Sequence, residues 1–464
     1  MRFLRAGLAA LALAGHAAVQ AIKIDVNDRE SLKQAASTVA FDMMSYYHAN
    51  ESGQIPGKLP NTWWTGGAMF MTLIQYWHWT GDESYNNVTI QGMIWQKGEY
   101  NDYMPSNWSN YLGNDDQVFW GLAAMTAAEL NFPEDPEGPS WLTLAQGVFN
   151  NQVPRWDMTI CEGGLRWQLH VYQAGWDIKN AISNGGLFQL AARLAYYTRN
   201  DTYAKWAEKI WDWSTKYPLI EIDKKPWKVN DLVTVKSACK ETSQINWSYN
   251  YGTYISGAAY LYNYTKGSDK WKQRLDKLLE PTYQIFFPKE YGGMTMSEVA
   301  CEKPETCDGN SKLFKGFLSS WLTFGSLVAP YMYDDVLPRI QASAVAAADT
   351  CTGGEDGEHC GIVWGTHEWD GTESLENQMS VLSVISSALV QFPMERGRKK
   401  EPLTIETGGT SKSDPNAGTG DDHNIDPGLK WEITTADRAG AGIVTAVFLC
   451  GWIGMVAWMI VERS

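Results

Sequence analysis

The sequence predicts an all-α fold, an (α/α)6 toroid in which six helical hairpins close into a ring with a ligand cleft at one rim. Apolar residues recur at helical rather than alternating spacing, as in Leu187, Leu190 and Leu194, and strand signals are sparse. A polar turn rich in Gly or Asn also precedes an apolar stretch six times. These turns are residues 64–67, 114–116, 183–186, 250–252, 315–317 and 370–372.

The interval between these turns is about fifty to seventy residues, enough for a helical hairpin and a return loop. In a ring, the inner helices would start at one rim, and their N-terminal N–H groups would face the cleft. An open α-solenoid has the same periodicity, so closure of the ring is what distinguishes the two.

The N-terminus has the pattern of a secretory signal peptide. Arg2 and Arg5 precede the apolar stretch 8–14, and small residues around Ala21 suit cleavage, so residues 1–21 are expected to be removed. Between about residues 24 and 393 there is no Pro- or Gly-rich break, which favours one large domain over residues 22–395.

The C-terminal part predicts an anchor. Residues 396–442, with the Gly-, Ser-, Thr- and Asp-rich stretch 408–428, are expected to form a flexible stalk, and residues 443–464 form an apolar tail. A polar spacer before such a tail is typical of a GPI signal, with Asn416-Ala417-Gly418 or the small residues near Ala436 as attachment sites. A retained transmembrane helix is the alternative.

Sequons and cysteines also indicate export. The acceptor rule is met at six asparagines: Asn50, Asn87, Asn107, Asn200, Asn246 and Asn263. Six cysteines lie in the body and Cys450 lies in the tail, so loss of the tail leaves an even number. Proximity favours Cys301 with Cys307 and Cys351 with Cys360, leaving Cys161 for Cys239, although free buried thiols are the alternative.

Composition excludes some functions. A net charge of −15 argues against nucleic-acid binding, whereas 23 Trp and 22 Tyr are more aromatic side chains than a core requires and suit stacking on pyranose rings. The seven histidines are scattered without metal-site spacing, and phosphate-binding and GxSxG motifs are lacking in the sequence, so no metal or cofactor is predicted.

Two adjacent acids, Asp115 and Asp116, open a predicted helix that continues through the apolar run 118–130. Cleavage of a glycosidic bond needs two carboxyl groups, one ionised and one protonated. Adjacent residues can supply them, because their side chains diverge at a helix start while mutual repulsion separates their pKa values. An ordinary N-terminal cap followed by acids that complement the helix dipole is the alternative.

Three motifs in order resemble glycoside hydrolase family 76, the endo-α-1,6-mannanases, and within it the fungal GPI-anchored Dfg5/Dcw1 type. They are Asn114-Asp115-Asp116-Gln117 before Phe119-Trp120-Gly121, residues 179–188, and residues 247–252. The resemblance spans about residues 25–393. It implies an (α/α)6 barrel, retention of configuration, α-1,6-mannose as the recognised sugar, Asp115 as nucleophile and Asp116 as acid/base.

The matched motifs and the aromatic residues supply further candidate substrate-binding residues. Asn114 and Gln117 flank the pair, Asn184, Asn250 and Tyr251 lie in the other motifs, and Asp231 aligns loosely with an acidic family position. Asn residues there could equally cap helices. The candidate stacking platforms are Trp64, Trp120, Trp167 and Trp369, each of which could instead be core, and Asp370 is a further candidate for which helix capping is favoured.

For the fungal branch the resemblance further implies action on the mannose of GPI anchors or mannan, with transfer of anchored glycoproteins onto wall glucan. The expected location is the outer face of the plasma membrane and the cell wall. Hydrolysis to free mannan fragments is the alternative reaction. A non-catalytic mannan-binding adhesin is the alternative of a different class, and it would not need the twin aspartate.

Overall fold

The computed structural model describes residues 22–60, 62–106, 111–395, 397–419 and 435–461. The expected signal peptide and the sequon at Asn107 lie outside these residues. The chain divides into two units, residues 1–423 and 424–464.

Twelve α-helices build the first unit within the residues that the structure describes. Their bounds are α1 Arg29–Met44, α2 Trp64–Thr80, α3 Asn86–Trp95, α4 Asn114–Glu129, α5 Trp141–Gln152, α6 Ala181–Thr198, α7 Asp201–Lys216, α8 Ser248–Tyr264, α9 Asp269–Phe286, α10 Phe314–Val328, α11 Tyr333–Asp349 and α12 Leu375–Ala388.

The even-numbered helices form a closed inner ring. Each packs against the next even helix, from α2 through α4, α6, α8 and α10 to α12, and α12 returns to α2. Every residue of α2 is buried, whereas α7 and α9 in the outer layer are amphipathic. The closed ring confirms the toroid over the open solenoid.

Five of the six polar segments lie within the first two turns of an inner helix instead of preceding it, and only residues 370–372 come before their helix, α12. α2, α4, α6, α8, α10 and α12 begin at residues 64, 114, 181, 248, 314 and 375, close to the turns in the sequence. Because all six inner helices start at the same kind of position in the repeat, their N-termini converge on one rim.

Six short strands lie in the loops and pair antiparallel as β1 with β4, β2 with β3, and β5 with β6. Their bounds are β1 Ile178–Asn180, β2 Ile220–Glu221, β3 Lys228–Val229, β4 Leu232–Thr234, β5 Cys351–Gly353 and β6 His359–Cys360. Three disulfide bonds, Cys161–Cys239, Cys301–Cys307 and Cys351–Cys360, also join loop segments, in the pairing that proximity favours.

Residues 397–419, here called the strap, differ from the expected flexible stalk, because they lie on the toroid. The Leu403 amide donates to the Glu129 carbonyl at 2.8 Å, and the Gly418 amide donates to the Tyr100 carbonyl at 2.9 Å. Gly418, with φ +75°, lies so close to the Gly147 carbonyl that a Cβ would clash with it. The domain therefore extends beyond residue 395, since these polar residues satisfy the body's backbone instead of solvent.

The strap also contains one of the two expected anchor sites. Ala417 is buried, and its carbonyl accepts from the Asn150 side chain at 2.9 Å. Asn416, the first residue of this site, is exposed.

The second unit contains helix α13, Thr435–Val461. Its window Arg438–Met455 is long and apolar enough to cross a membrane. Of the sequon asparagines within the described residues, Asn50, Asn87 and Asn200 are exposed. The side-chain Nδ2 of Asn263, by contrast, donates to the Val328 carbonyl.

Candidate active site

A cleft of about 470 Å³ lies at the rim where the inner helices begin. The first residues of several inner helices line it directly. The lining residues are Trp64, Asp115, Asp116, Phe119, Trp167, Gln168, Ile178, Asn180, Asp231, Leu232, Trp247, Tyr249, Thr306, Asp308, Asn310, Ser311 and Phe314.

Asp115 and Asp116 occupy the first turn of α4 and face this cleft. Gly113, rather than Asn114, is the residue that precedes the helix, and its amide donates to Asp116 Oδ2 at 2.6 Å. The Asp116 amide donates to Asp115 Oδ1 at 3.0 Å. Backbone groups at the helix start therefore hold each carboxyl group in its own orientation.

The start of α4 is fixed by the neighbouring loop. The Asn114 amide donates to the Trp167 carbonyl at 2.8 Å, and its side-chain Nδ2 donates to the Arg166 carbonyl at 2.8 Å. Gly113 also forms a β-bridge with Gln168. This network joins the twin aspartate to the loop that carries Trp167, another residue that lines the cleft.

Burial raises the pKa of both acids. The pKa of Asp115 is raised well above its usual range, first by burial and then by the charge of Asp116. Burial raises the pKa of Asp116 to about 6, against the opposing effect of the hydrogen bond from Gly113. Adjacent carboxyl groups titrate as a pair, so the pair retains a proton well above the pH at which free aspartic acid loses it.

Asn180 links the pair to the next inner helix. Its Nδ2 lies 3.4 Å from Asp115 Oδ2, while its Oδ1 accepts from the Ser183 amide and caps α6. A donor to Asp115 favours the ionised form of that carboxyl group.

The wall that carries Trp167 is held by a buried charge cluster. Asp157 Oδ2 lies 2.9 Å from Arg166 Nε and 3.2 Å from Lys179 Nζ. Lys179 also donates to the Ile160 carbonyl at 2.9 Å. The Cys161–Cys239 bond and the β1–β4 pair join this loop to the segment that carries Asp231.

Asp231 faces the cleft from that segment. Its Oδ1 accepts from Asn250 Nδ2 at 2.9 Å, and its backbone carbonyl accepts from the Ala181 amide at 2.7 Å. Burial raises the pKa of Asp231, whereas the Asn250 bond lowers it. Asn250 thus orients an acidic side chain from behind.

Aromatic side chains form much of the cleft surface. Tyr249 stacks on Phe314 with ring centroids 3.7 Å apart and an interplanar angle of 7°. Trp64 packs on Phe119 at 4.7 Å, and its Nε1 donates to Asn310 Oδ1 at 3.2 Å. Such rings beside polar groups suit the apolar faces and hydroxyl groups of sugars.

Seven of the sequence-predicted residues lie at or directly behind the cleft. Asp115, Asp116, Trp64, Trp167 and Asp231 line the cleft. Asn114 and Asn250 lie behind it and hold lining segments in place.

Three predictions near α4 and α6 are wrong because the residues face the core. Gln117 is fully buried and donates to the Asp102 carbonyl at 2.8 Å. Trp120 is fully buried and stacks on Trp63 at 5.0 Å. Asn184 pairs with the backbone of Leu165, accepting at 2.8 Å and donating at 3.0 Å.

Three further predictions also fail. Tyr251 is buried, and its hydroxyl accepts from the Val229 amide at 3.1 Å. Trp369 and Asp370 line a separate groove, and they lie in the loop before α12, which begins at Leu375. Asp370 Oδ2 accepts from the Ile362 amide at 2.7 Å and so stabilises a loop.

Sequence reasoning missed several lining residues. Asn180 and Trp247 stand directly before inner helices, so their position in the repeat could have indicated them. Asp308 and Asn310 carried no signal, because the Cys301–Cys307 loop brings them to the cleft from a segment without a motif.

Comparisons with known proteins agree with this geometry. The model of glycosyl hydrolase family 76 matches residues 31–404. The chain is 40% identical to the mannan endo-1,6-alpha-mannosidase DCW1 of Saccharomyces cerevisiae over 95% of both chains. It is also 38% identical to the mannan endo-1,6-alpha-mannosidase DFG5 of Candida albicans over 96% of both chains.

Solved structures are similar as well. The crystal structure of Dfg5 from Chaetomium thermophilum in complex with glucosamine has a TM-score of 0.81 and 40% identity, covering 87% of this chain and 99% of that one. The GH76A alpha-1,6-mannanase from Salegentibacter sp. HEL1_6 has a TM-score of 0.60 at 18% identity, covering 77% and 98%, a likeness of fold alone.

Proposed function

The chain belongs to glycosyl hydrolase family 76, and on that premise we propose that it is a retaining glycosidase and transglycosylase that acts on α-1,6-linked mannose. The observation that carries the proposal is the pair Asp115 and Asp116, two adjacent carboxyl groups in the first turn of an inner helix at a sugar-sized cleft. Relatives that cover nearly the whole chain are named for this substrate.

In the proposed mechanism, ionised Asp115 attacks the anomeric carbon while protonated Asp116 donates its proton to the departing glycosidic oxygen. The C–O bond to the leaving group breaks and a mannosyl ester of Asp115 forms. Asp116, now ionised, then removes a proton from the acceptor hydroxyl, whose oxygen displaces Asp115 from the sugar. Two displacements at one carbon retain its configuration.

The electrostatics supply the shared proton that this mechanism needs, but their order in the free cleft differs from the assigned roles. The pKa of Asp115 is raised further than that of Asp116, whereas attack requires Asp115 to be ionised. Asn180 favours that ionised state by donating to Asp115, and the proton belongs to the pair until a sugar enters. The assignment of roles therefore needs a chemical test.

Labelling with a fluorinated mannosyl inactivator tests both roles. We expect one mannosyl adduct per chain by intact-mass analysis, located on Asp115 by peptide mapping. An adduct on Asp116 would reverse the two roles, and absence of any adduct would contradict covalent catalysis.

Substitution separates catalysis from simple glycan binding. Asp115→Asn and Asp116→Asn should each lower turnover of an α-1,6-mannan oligosaccharide by at least about 1,000-fold while changing affinity little. Asp269→Asn, at an exposed acid in the first turn of α9, is the matched control. Unchanged turnover in the Asp115 and Asp116 variants would instead favour an adhesin.

We further propose that the enzyme transfers the mannosyl end of GPI-anchored or mannan glycans to wall glucan. The aromatic wall of Trp167, Trp247 and Tyr249 supports an acceptor sugar held in place of water. A labelled glucan oligosaccharide should enter the product, and formation of free reducing ends alone would assign hydrolysis.

The proposed location is the outer face of the plasma membrane and the cell wall, through a GPI anchor whose signal includes the apolar stretch of α13. Two attachment regions stay in the proposal: Asn416, which is exposed in the strap, and the small residues near Ala436, in the first turn of α13. Phosphatidylinositol-specific phospholipase C should release the protein from membranes, whereas retention would indicate a transmembrane helix.

A further inference from the structure

Outside the cleft, three side chains with metal-binding atoms meet where α1 contacts the β5–β6 hairpin. They are Asp42, Asp356 and His359, and one ligand atom of each lies within 4.8 Å of the others. The cluster joins residues more than 300 positions apart in the chain, so its spacing gave no signal in the sequence.

Asp42 brings a buried and unsatisfied oxygen to this cluster. The residue is only 2% exposed, and its Oδ2 lacks a hydrogen-bond partner among the described residues. A buried carboxylate without a partner is costly, and a bound cation offsets that cost.

His359 is oriented for ligation through its outer nitrogen. Its Nε2 lies 3.7 Å from Asp356 Oδ2, while its Nδ1 forms a 3.1 Å hydrogen bond with the Tyr46 hydroxyl. Metal-bound histidines use the second ring nitrogen for such a bond, which fixes the ring and its tautomer.

The hairpin that carries two of the three ligands is braced. Cys351 and Cys360 are disulfide-bonded across paired strands, and Asp356 Oδ1 accepts from the Glu358 amide at 3.0 Å. Because Asp356 is exposed, water can complete the coordination of an ion at this position.

We propose that Asp42, Asp356 and His359 bind a divalent transition-metal ion of the zinc type, which joins the first helix of the toroid to its last hairpin. One imidazole and two carboxylates suit Zn²⁺ better than Ca²⁺, whose ligands are oxygens. The site is separate from the twin aspartate, so its role is to hold α1 against the β5–β6 hairpin rather than to catalyse.

Calorimetry with ZnCl₂ on the untagged, chelator-treated full chain tests the proposal. We expect one Zn²⁺ per chain and a thermal midpoint that rises with Zn²⁺. His359→Gln and Asp356→Asn should each weaken binding by about tenfold or more, and Tyr46→Phe by about tenfold. Asp356 is exposed in a loop, so its variant should fold even if one at Asp42 does not.

His367→Asn is the matched control, because His367 Nδ1 lies 2.8 Å from Asp349 Oδ2 in an exposed pair that lacks a third ligand in the described structure. This variant should bind Zn²⁺ like the native chain. The proposal is overturned if Zn²⁺ does not bind, if only Ca²⁺ binds, or if binding survives unchanged in both His359→Gln and Asp356→Asn.

Discussion

Replacing Asp116 by Asn should stabilise the protein at neutral pH while abolishing its proposed activity. Burial raises the pKa of Asp116 from its ordinary value of 3.8 to about 6. Each pKa unit corresponds to 1.36 kcal/mol, so the ionised carboxyl group costs the folded state at most about 3 kcal/mol.

Two effects reduce this figure. The carboxyl group faces the open cleft, where solvent screens part of the cost, and Asn loses a favourable charge of about 0.3–1 kcal/mol at the helix start. Asn can still accept the hydrogen bond from the Gly113 amide, so the cap is retained. The net expectation at pH 7 is a gain in unfolding free energy of about 1–2 kcal/mol.

The pH dependence has a definite sign. Between pH 3.8 and about 6 the folded chain holds a proton on Asp116 that the unfolded chain has lost, so stability falls as pH rises through this range. Asp116→Asn removes the part of this fall that Asp116 contributes, whereas the part from Asp115, whose pKa is also raised, remains. The assay is the thermal midpoint of the purified protein from pH 4 to pH 8, with Asp269→Asn as the control for loss of an acid in a first helical turn.

A destabilised Asp116→Asn protein at pH 7, or a pH profile parallel to that of the native chain, would refute the reasoning. Either result would mean that the carboxylate is stabilised in the fold by contacts stronger than the cost of its burial.

Other parts of the structure give three further predictions. Asn180→Asp keeps an acceptor for the α6 cap but removes the donor to Asp115. It should therefore shift the acidic limb of the pH–rate profile to higher pH and lower turnover at least about tenfold. An unchanged profile would contradict this role. Glu129 lies 2.7 Å from buried Arg193, and Glu129→Gln removes the counter-charge of that guanidinium. The free energy of unfolding, measured by chemical denaturation, should fall by about 3–5 kcal/mol. A fall of less than about 1 kcal/mol would show that the pair is dispensable. Truncation after residue 395 removes the strap and should lower the thermal midpoint relative to truncation after residue 423, and equal midpoints would mean that the strap adds no stability.

The ring could be predicted from the sequence because its signals are local. A polar segment next to a continuous apolar run predicts each inner helix, and six repeats at similar intervals predict the hairpins. The twin aspartate was found for the same reason, since two acids at a helix start are visible without knowledge of distant contacts.

The rest of the cleft could not be predicted, because it depends on which face of a helix meets the core. Trp120 and Trp64 both lie near the starts of inner helices, yet Trp120 points into the core against Trp63 while Trp64 reaches the cleft. Asp308 arrives through a disulfide-bonded loop. The strap has the composition of a linker, and its folded state depends on contacts with distant residues, among them Glu129 and Tyr100.

All three disulfide bonds lie in the loop layer, and none joins two of the ring helices. The hydrophobic contacts of the inner helices therefore do not depend on oxidation, whereas the wall that carries Trp167 and the loop that carries Asp308 do. We expect the protein made in a reducing cytosol to keep its helical circular dichroism spectrum but to have a distorted cleft. Sugar binding therefore depends on the redox state of the compartment in which the chain folds.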